Sequence, residues 1–199
     1  MSILMTEPEI DIGAPPQRRR FTVEEFQRMG EAGIIAPDER VELIAGEIIQ
    51  MTPIGPRHME AVFALEDFLR PVVGPDVRVS VQGAIQLPDS RPQPDIVLLR
   101  RSDWRRGVLP APSACLLVIE VADSTVQGDR GAKRGSYARG LIPEYWVVDL
   151  PAESVVLHLQ PADGDYRQVT EHRRGTSFTS PALGGRTIHV DEVIELRQP

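Results

Sequence analysis

Two acidic residues stand where acids are costly. Asp95 opens the apolar run Ile96-Val97-Leu98-Leu99, and Glu120 lies inside a second run, Leu116-Leu117-Val118-Ile119-Glu120-Val121. A carboxylate in a buried strand is strongly unfavourable unless a cation or hydrogen bonds compensate it, so the two acids call for a shared partner. Two hard oxygen ligands with room for water suit Mg²⁺, with Mn²⁺ as its substitute, because Mg²⁺ keeps part of its octahedral hydration shell and also binds phosphate oxygens. A metal held in this way polarises a phosphodiester and acidifies the attacking water, while a nearby ammonium steadies the developing negative charge. Lys133, in the first turns of a helix-like segment that follows the Glu120 run, is the candidate ammonium.

Each of these residues also has a plainer reading. Asp95 can be a strand-entry residue after a proline, and Glu120 can pair with a distant arginine. Lys133 can be half of a helix-surface pair with Asp129, four residues before it. Glu120 argues most for function, because apolar residues flank it on both sides. Three more residues are candidates. Glu42, within Val41-Glu42-Leu43-Ile44, either reaches the same metal or its water, or faces solvent on an alternating strand. His58, after Pro56-Arg57, either touches a phosphate or is a simple helix-start histidine. Tyr137, four residues after Lys133, shares its helix face and either orients the lysine or packs in the core.

Other chemistries find no support. The chain has no Walker-type phosphate loop, no dinucleotide fingerprint after a strand and no Gly-x-Ser-x-Gly elbow. His58, His158, His172 and His189 lack metal-ligand spacing. Cys115 is the only cysteine, which excludes an intramolecular disulfide and a thiolate zinc cluster and suits a small core residue.

The elements that must position these groups follow from periodicity. Pro94 to Asp149 reads as strand, strand, helix, strand, with the helix over Asp129–Gly140 and the last strand ending at Asp149. Thr22 and Glu25 form a capping box for a helix over Val23–Ala32, with Phe26 and Met29 on its apolar face. Arg40–Ile44 and Glu47–Met51 flank Ala45-Gly46 as a hairpin, Gly46 supplying positive φ. His58–Arg70 reads as a helix with Met59, Val62, Leu65 and Leu69 on one face, ended by Pro71. Val77, Val79 and Val81 alternate as a half-buried strand, with a bulge or bend at Gly83. Val155–Leu159, Tyr166–Thr170 and Thr187–Val190 read as further strands, with turns at Ala162–Asp165 and Gly184-Gly185. The fold class is mixed α/β (α+β): a central sheet with an N-terminal hairpin and additional C-terminal strands. Residues 1–20 read as a flexible arm before a single domain over 21–199.

Composition sets the remaining bounds. At 41% hydrophobic and 26% charged residues, the chain is that of an ordinary globular protein. No apolar run reaches the roughly 18 residues needed to span a bilayer, and the first residues lack a signal peptide's apolar centre, so no membrane association and a cytoplasmic location are the expectations. The net charge of -7 weighs against nonspecific coating of nucleic acid but leaves room for a local basic groove. Arg100, Arg101, Arg105 and Arg106 are one concentration of charge, best read as a solvated loop.

Taken in order, Glu42-Leu43-Ile44-Ala45-Gly46-Glu47, His58, Pro94-Asp95-Ile96-Val97, Val118-Ile119-Glu120-Val121-Ala122-Asp123-Ser124-Thr125, Lys133, Tyr137 and Gly140 to Asp149 resemble the restriction endonuclease-like family of bacterial proteins, a branch of the PD-(D/E)XK nuclease superfamily. The resemblance covers about Phe21 to Leu159. It implies a restriction-endonuclease-like core, a mixed central sheet flanked by helices, with Asp95 and Glu120 binding Mg²⁺ and the backbone carbonyl of Val121 as a further ligand. The superfamily pattern has a lysine two residues after the glutamate. Here that position is Ala122, and Lys133 matches a lysine moved to the following helix. The implied activity is cleavage of DNA, for which a homodimer would suit double-strand cutting. The alternatives are a nuclease-like fold kept as a DNA-binding or protein-interaction module without turnover, and a different metal-dependent phosphoesterase acting on RNA or nucleotides.

Overall fold

The computed structural model describes residues 18–123 and 128–194. Helix α1 (Val23–Glu31) starts where its capping box requires. The Thr22 hydroxyl accepts the Glu25 N–H at 3.2 Å, and the Glu25 carboxylate accepts the Thr22 N–H at 3.0 Å. Val23 and Phe26 pack against Leu43 of the following hairpin, β1 (Val41–Ile44) with β2 (Glu47–Gln50). Both turn residues are left-handed, Ala45 at φ 49° and Gly46 at φ 80°, so the turn uses two positive angles where glycine alone was expected to supply one. Gly46 is also a point of close approach: a Cβ there would fall 2.6 Å from Arg20 Cβ and 3.0 Å from the Phe21 carbonyl.

The end of the expected N-terminal arm is tied down. Arg20 Nη1 donates to the Ala45 carbonyl at 2.7 Å, Phe21 N–H donates to the Gly46 carbonyl at 2.8 Å, and Arg19 pairs with Glu25. Residues 1–17 of that arm, and the loop residues 124–127, lie outside the described residues.

Helix α2 (Pro56–Val72) is longer than expected at both ends. Pro56 occupies its first position, where a missing N–H costs nothing. Pro71 does not terminate it but sits in the last turn, where only one helical hydrogen bond is lost. Ala61, Val62, Leu65 and Leu69 are buried, whereas Met59, expected on that face, is 46% exposed.

Six strands then form one sheet in chain order: β3 (Val77–Val81), β4 (Ile96–Arg100), β5 (Cys115–Ala122), β6 (Glu144–Asp149), β7 (Ser154–Ala162) and β8 (Asp165–Arg173). All neighbours are antiparallel except β5 and β6, which are parallel and joined through α3 (Gly128–Arg139). The expected irregularity at Gly83 falls one residue earlier. Strand β3 stops at Val81 and the chain turns at Gln82, φ 49°, whose N–H donates to the Asp95 carbonyl at 2.9 Å.

One face of the sheet packs against α2 through Ile96, Leu98, Ile119 and Trp146; the other packs against α3 through Val97, Val118 and Tyr137. Burial on both faces is why Ile96 to Leu99 is continuously apolar. A second hairpin, β9 (Ser177–Ser180) with β10 (Arg186–His189), and the short helix α4 (Val190–Ile194) complete the α2 side. Neither β9 nor α4 is expected from the sequence, since Ser-Phe-Thr-Ser offers one large apolar residue. That residue, Phe178, meets Trp146 edge-on at 5.0 Å. Buried Glu144 anchors this region by accepting Trp146 Nε1–H and the Ala182 N–H, both at 2.7 Å, and burial holds its pKa up.

His158 is buried beneath Tyr145 and donates through Nδ1 to the Tyr145 carbonyl at 3.2 Å. Burial lowers its pKa, so the unfolded chain takes up a proton at this residue before the folded one does. The stabilising contribution of His158 is therefore complete above the ordinary histidine pKa and lost as pH falls below it. The stability advantage of the native protein over His158→Gln, measured by urea denaturation, is expected to shrink from pH 8 to pH 5. A Gly46→Ala substitution, forced against Arg20 and Phe21 at a positive φ, should cost about 1–3 kcal/mol in the same measurement.

Candidate active site

The register between β4 and β5 pairs Ile96 with Ile119 and Val97 with Val118. One further step sets Asp95 against Glu120, and directly opposed residues of an antiparallel pair point to the same face. Val97 and Val118 lie in the core under α3, so both acids look toward that helix. Asp95 is 7% exposed; its Oδ2 accepts the Val121 N–H at 2.8 Å, and its Oδ1 lies 2.8 Å from His58 Nε2. That hydrogen bond raises the pKa of His58 against the opposing effect of burial. His58, near the start of α2, thus meets the acid from the other layer of the fold.

Glu120 receives two groups from α3. Tyr137 donates its hydroxyl to Oε1 at 2.5 Å and Lys133 Nζ donates to the same oxygen at 3.2 Å. Lys133 also lies 2.9 Å from Glu42 Oε2 and 3.1 Å from Oε1. Tyr137 and Lys133 do share a helix face, as their spacing requires, but the tyrosine hydroxyl holds Glu120 rather than the lysine. Of the two readings of Glu42, the solvent-facing one is overturned: the residue is 2% exposed, and its Oε1 also accepts the Gln93 N–H at 2.6 Å. Lys133 is placed inward, onto Glu42 and Glu120; its expected partner Asp129 has a side chain outside the described residues.

Charge at this point is unbalanced. Glu42, Asp95 and Glu120 converge where Lys133 and the His58 ring are the basic groups in contact with them. Burial, aided by Asp95 and Glu42 and opposed by Lys133, pushes the Glu120 carboxyl up to about 7. A divalent cation would relieve that imbalance, and the carboxylate donors are the hard oxygens that Mg²⁺ takes. Among the described residues no group of three or more His, Cys, Asp or Glu side chains is arranged to hold a metal ion. The protein donors for one would be two carboxylates and a peptide carbonyl. The Val121 carbonyl fits that set. Leu150 N–H bonds the Ala122 carbonyl on the β6 side, and peptide groups alternate along a strand, which turns the Val121 carbonyl toward β4 and Asp95.

These groups line a cleft of about 390 Å³, walled by the 51–55 segment and floored by Tyr145 and Val147. Arg40, Gln82 and Gln93 also line it, and sequence reasoning missed all three. Arg40 was detectable, since a residue two before Glu42 on an extended chain shares its face. Also unforeseen is a buried bridge between the hairpin and α3. Ser90 Oγ accepts the Ala45 N–H and sits 2.8 Å from Ser136 Oγ, while Arg139 reaches Asp89 at 2.7 Å. It links the strand that carries Glu42 to the helix that carries Lys133. Exchanging Lys133 for methionine leaves buried carboxylates uncompensated and should destabilise the protein by about 3 kcal/mol at pH 8. That deficit is expected to shrink in thermal melts at pH 5, where protonation removes the stranded charge.

The family model for Uma2, described as "Putative restriction endonuclease", matches residues 23–191. Among solved structures, the chain is similar to a crystal structure from Anabaena variabilis described as "a putative nuclease belonging to DUF820", with 15% identity and a TM-score of 0.70 over 88% of this chain and 98% of that one. At that identity the likeness is one of fold, and it agrees with the mixed sheet flanked by helices. Among curated proteins none matches significantly. With the family match spanning nearly all of the described fold, the chain belongs to the Uma2 family of restriction endonuclease-like proteins.

Proposed function

We propose that this protein is a Mg²⁺-dependent endonuclease that hydrolyses DNA phosphodiester bonds. The observation that carries the reading is the meeting of Asp95, Glu120 and Lys133, three residues distant in sequence, in one cleft. Asp95 and Glu120 would hold the ion through their carboxylates, with the Val121 carbonyl beside them and Mn²⁺ as a substitute. When bound, the ion supplies Lewis-acid polarisation of the phosphodiester and lowers the pKa of the attacking water.

The remaining steps belong to the side chains. Lys133 places a positive charge beside Glu120, where negative charge builds on the phosphoryl oxygens during attack. Glu42 fixes that ammonium from the opposite side and is held in turn by the Gln93 N–H. Tyr137 keeps the Glu120 carboxylate in one rotamer, and His58 with the Val121 N–H does the same for Asp95. Burial of these groups excludes bulk water and strengthens each interaction.

The competing reading, a nuclease-like module without turnover, draws on Ala122 standing where the superfamily pattern has lysine. Its force is reduced by the Lys133 ammonium, which reaches Glu120 from the following helix. Plasmid nicking decides between them. Cleavage is expected in Mg²⁺ or Mn²⁺ and not in EDTA, falling by about 100-fold or more in Asp95→Ala and Glu120→Ala and strongly in Lys133→Ala. Folded, DNA-binding protein that cuts nothing in any divalent cation would favour the inactive module. Cleavage that survives in the Asp95 and Glu120 variants would place the chemistry elsewhere.

A further inference from the structure

We propose that Arg40 is the phosphate contact of the cleft, binding the nucleic-acid backbone beside the scissile position; this rests on the nuclease reading above. A polyanion entering this cleft faces Glu42, Asp95 and Glu120, so it needs a cation that the protein has not already committed. The other basic groups that line the cleft are committed. Lys133 is bound to Glu42 and Glu120, and His58 to Asp95. Arg57 is bound to Asp123 at 3.2 Å and to the Leu150 carbonyl at 3.1 Å. Arg40 lines the same cleft and is exposed, and its guanidinium makes no hydrogen bond or ion pair among the described residues.

Its surroundings keep it available. The Arg40 backbone is fixed by the hairpin, its carbonyl accepting the Met51 N–H at 2.9 Å. Its sequence neighbour Glu39 is turned away, accepting the Ala36 N–H at 3.2 Å. Several other surface arginines are paired, Arg100 with Asp103, Arg134 with Asp165 and Arg139 with Asp89. As the residue two before Glu42, Arg40 presents its side chain on the same face of the extended chain, above the buried acids. A planar guanidinium in that position matches a phosphodiester through two parallel N–H donors, which a lysine cannot reproduce.

Fluorescence anisotropy tests the assignment, with labelled duplex and single-stranded DNA oligonucleotides in Ca²⁺ over a salt series. Arg40→Gln is expected to weaken binding on the order of ten-fold at 0.1 M salt. It should also flatten the slope of log affinity against log salt by about 0.9 for duplex or 0.7 for single strand. Arg40→Lys should recover most of the slope but less of the affinity. Arg106→Gln, exposed beyond the far end of β4, should match the native protein in both. Melting temperature should be unchanged in Arg40→Gln. Equal affinity and slope in Arg40→Gln and native protein would overturn the assignment while leaving the nuclease reading intact, and so would a lowered melting temperature with an unchanged slope. Native protein that binds neither oligonucleotide would remove both.

Discussion

In the cleft Glu42 and Glu120 share the Lys133 ammonium while Asp95 is held by His58, and nearly every feature of the surrounding fold bears on keeping them there. Like charges a few ångströms apart repel by about 4 kcal/mol even at the effective dielectric of a protein surface, and these groups are buried. Local compensation is therefore specific. Asp95 has the Val121 N–H and His58, Glu120 has Tyr137 and Lys133, and Glu42 has Lys133 and the Gln93 N–H. A residual excess of negative charge remains. It is the physical reason for expecting a divalent cation to bind here with a gain in stability.

Five separate pieces of chain deliver these groups, and each is positioned by ordinary packing. The apolar runs of β4 and β5 fix their register, and the register alone opposes Asp95 to Glu120. The crossover from β5 through α3 to parallel β6 carries Lys133 and Tyr137 back over the carboxyl end of β5. The hairpin brings Glu42, and its tie to α3 through Ser90 and Ser136 makes the Glu42–Lys133 contact a consequence of buried hydroxyl geometry. Helix α2 adds His58 from the opposite layer. A disturbance in any one of these pieces alters the charge balance seen by the others.

Much of this was legible in the sequence because the cues were local. The β4 and β5 strands announced themselves as apolar runs, α1 by its capping box, and the first hairpin by Ala45-Gly46. Glu120 stood out because a charge amid Val118, Ile119 and Val121 has few uses other than function. What escaped depended on partners far along the chain. Whether Glu42 faced solvent or the interior could not be read from one alternating strand, since the answer lies in α3. Tyr137 and Lys133 share a helix face, but which of them meets Glu120 closely is set by the depth of packing against the sheet. Pro71 looked like a terminator because its cost is local, while its tolerance comes from its place in the last turn. Strand β9 was invisible because its stability derives from Phe178 against Trp146 and from the Ala182 N–H held by Glu144.

On the reading proposed above, Asp95 and Glu120 act as one cation site. A crystal structure of the protein soaked in Mn²⁺, with anomalous diffraction recorded near the manganese edge, tests it most directly. A single anomalous peak is expected between the two carboxylates, with the Val121 carbonyl in its coordination sphere and Lys133 close by but not coordinating. No peak at that position in a saturating soak, or manganese held by other residues while Asp95 remains bonded only to His58 and Val121, would contradict it.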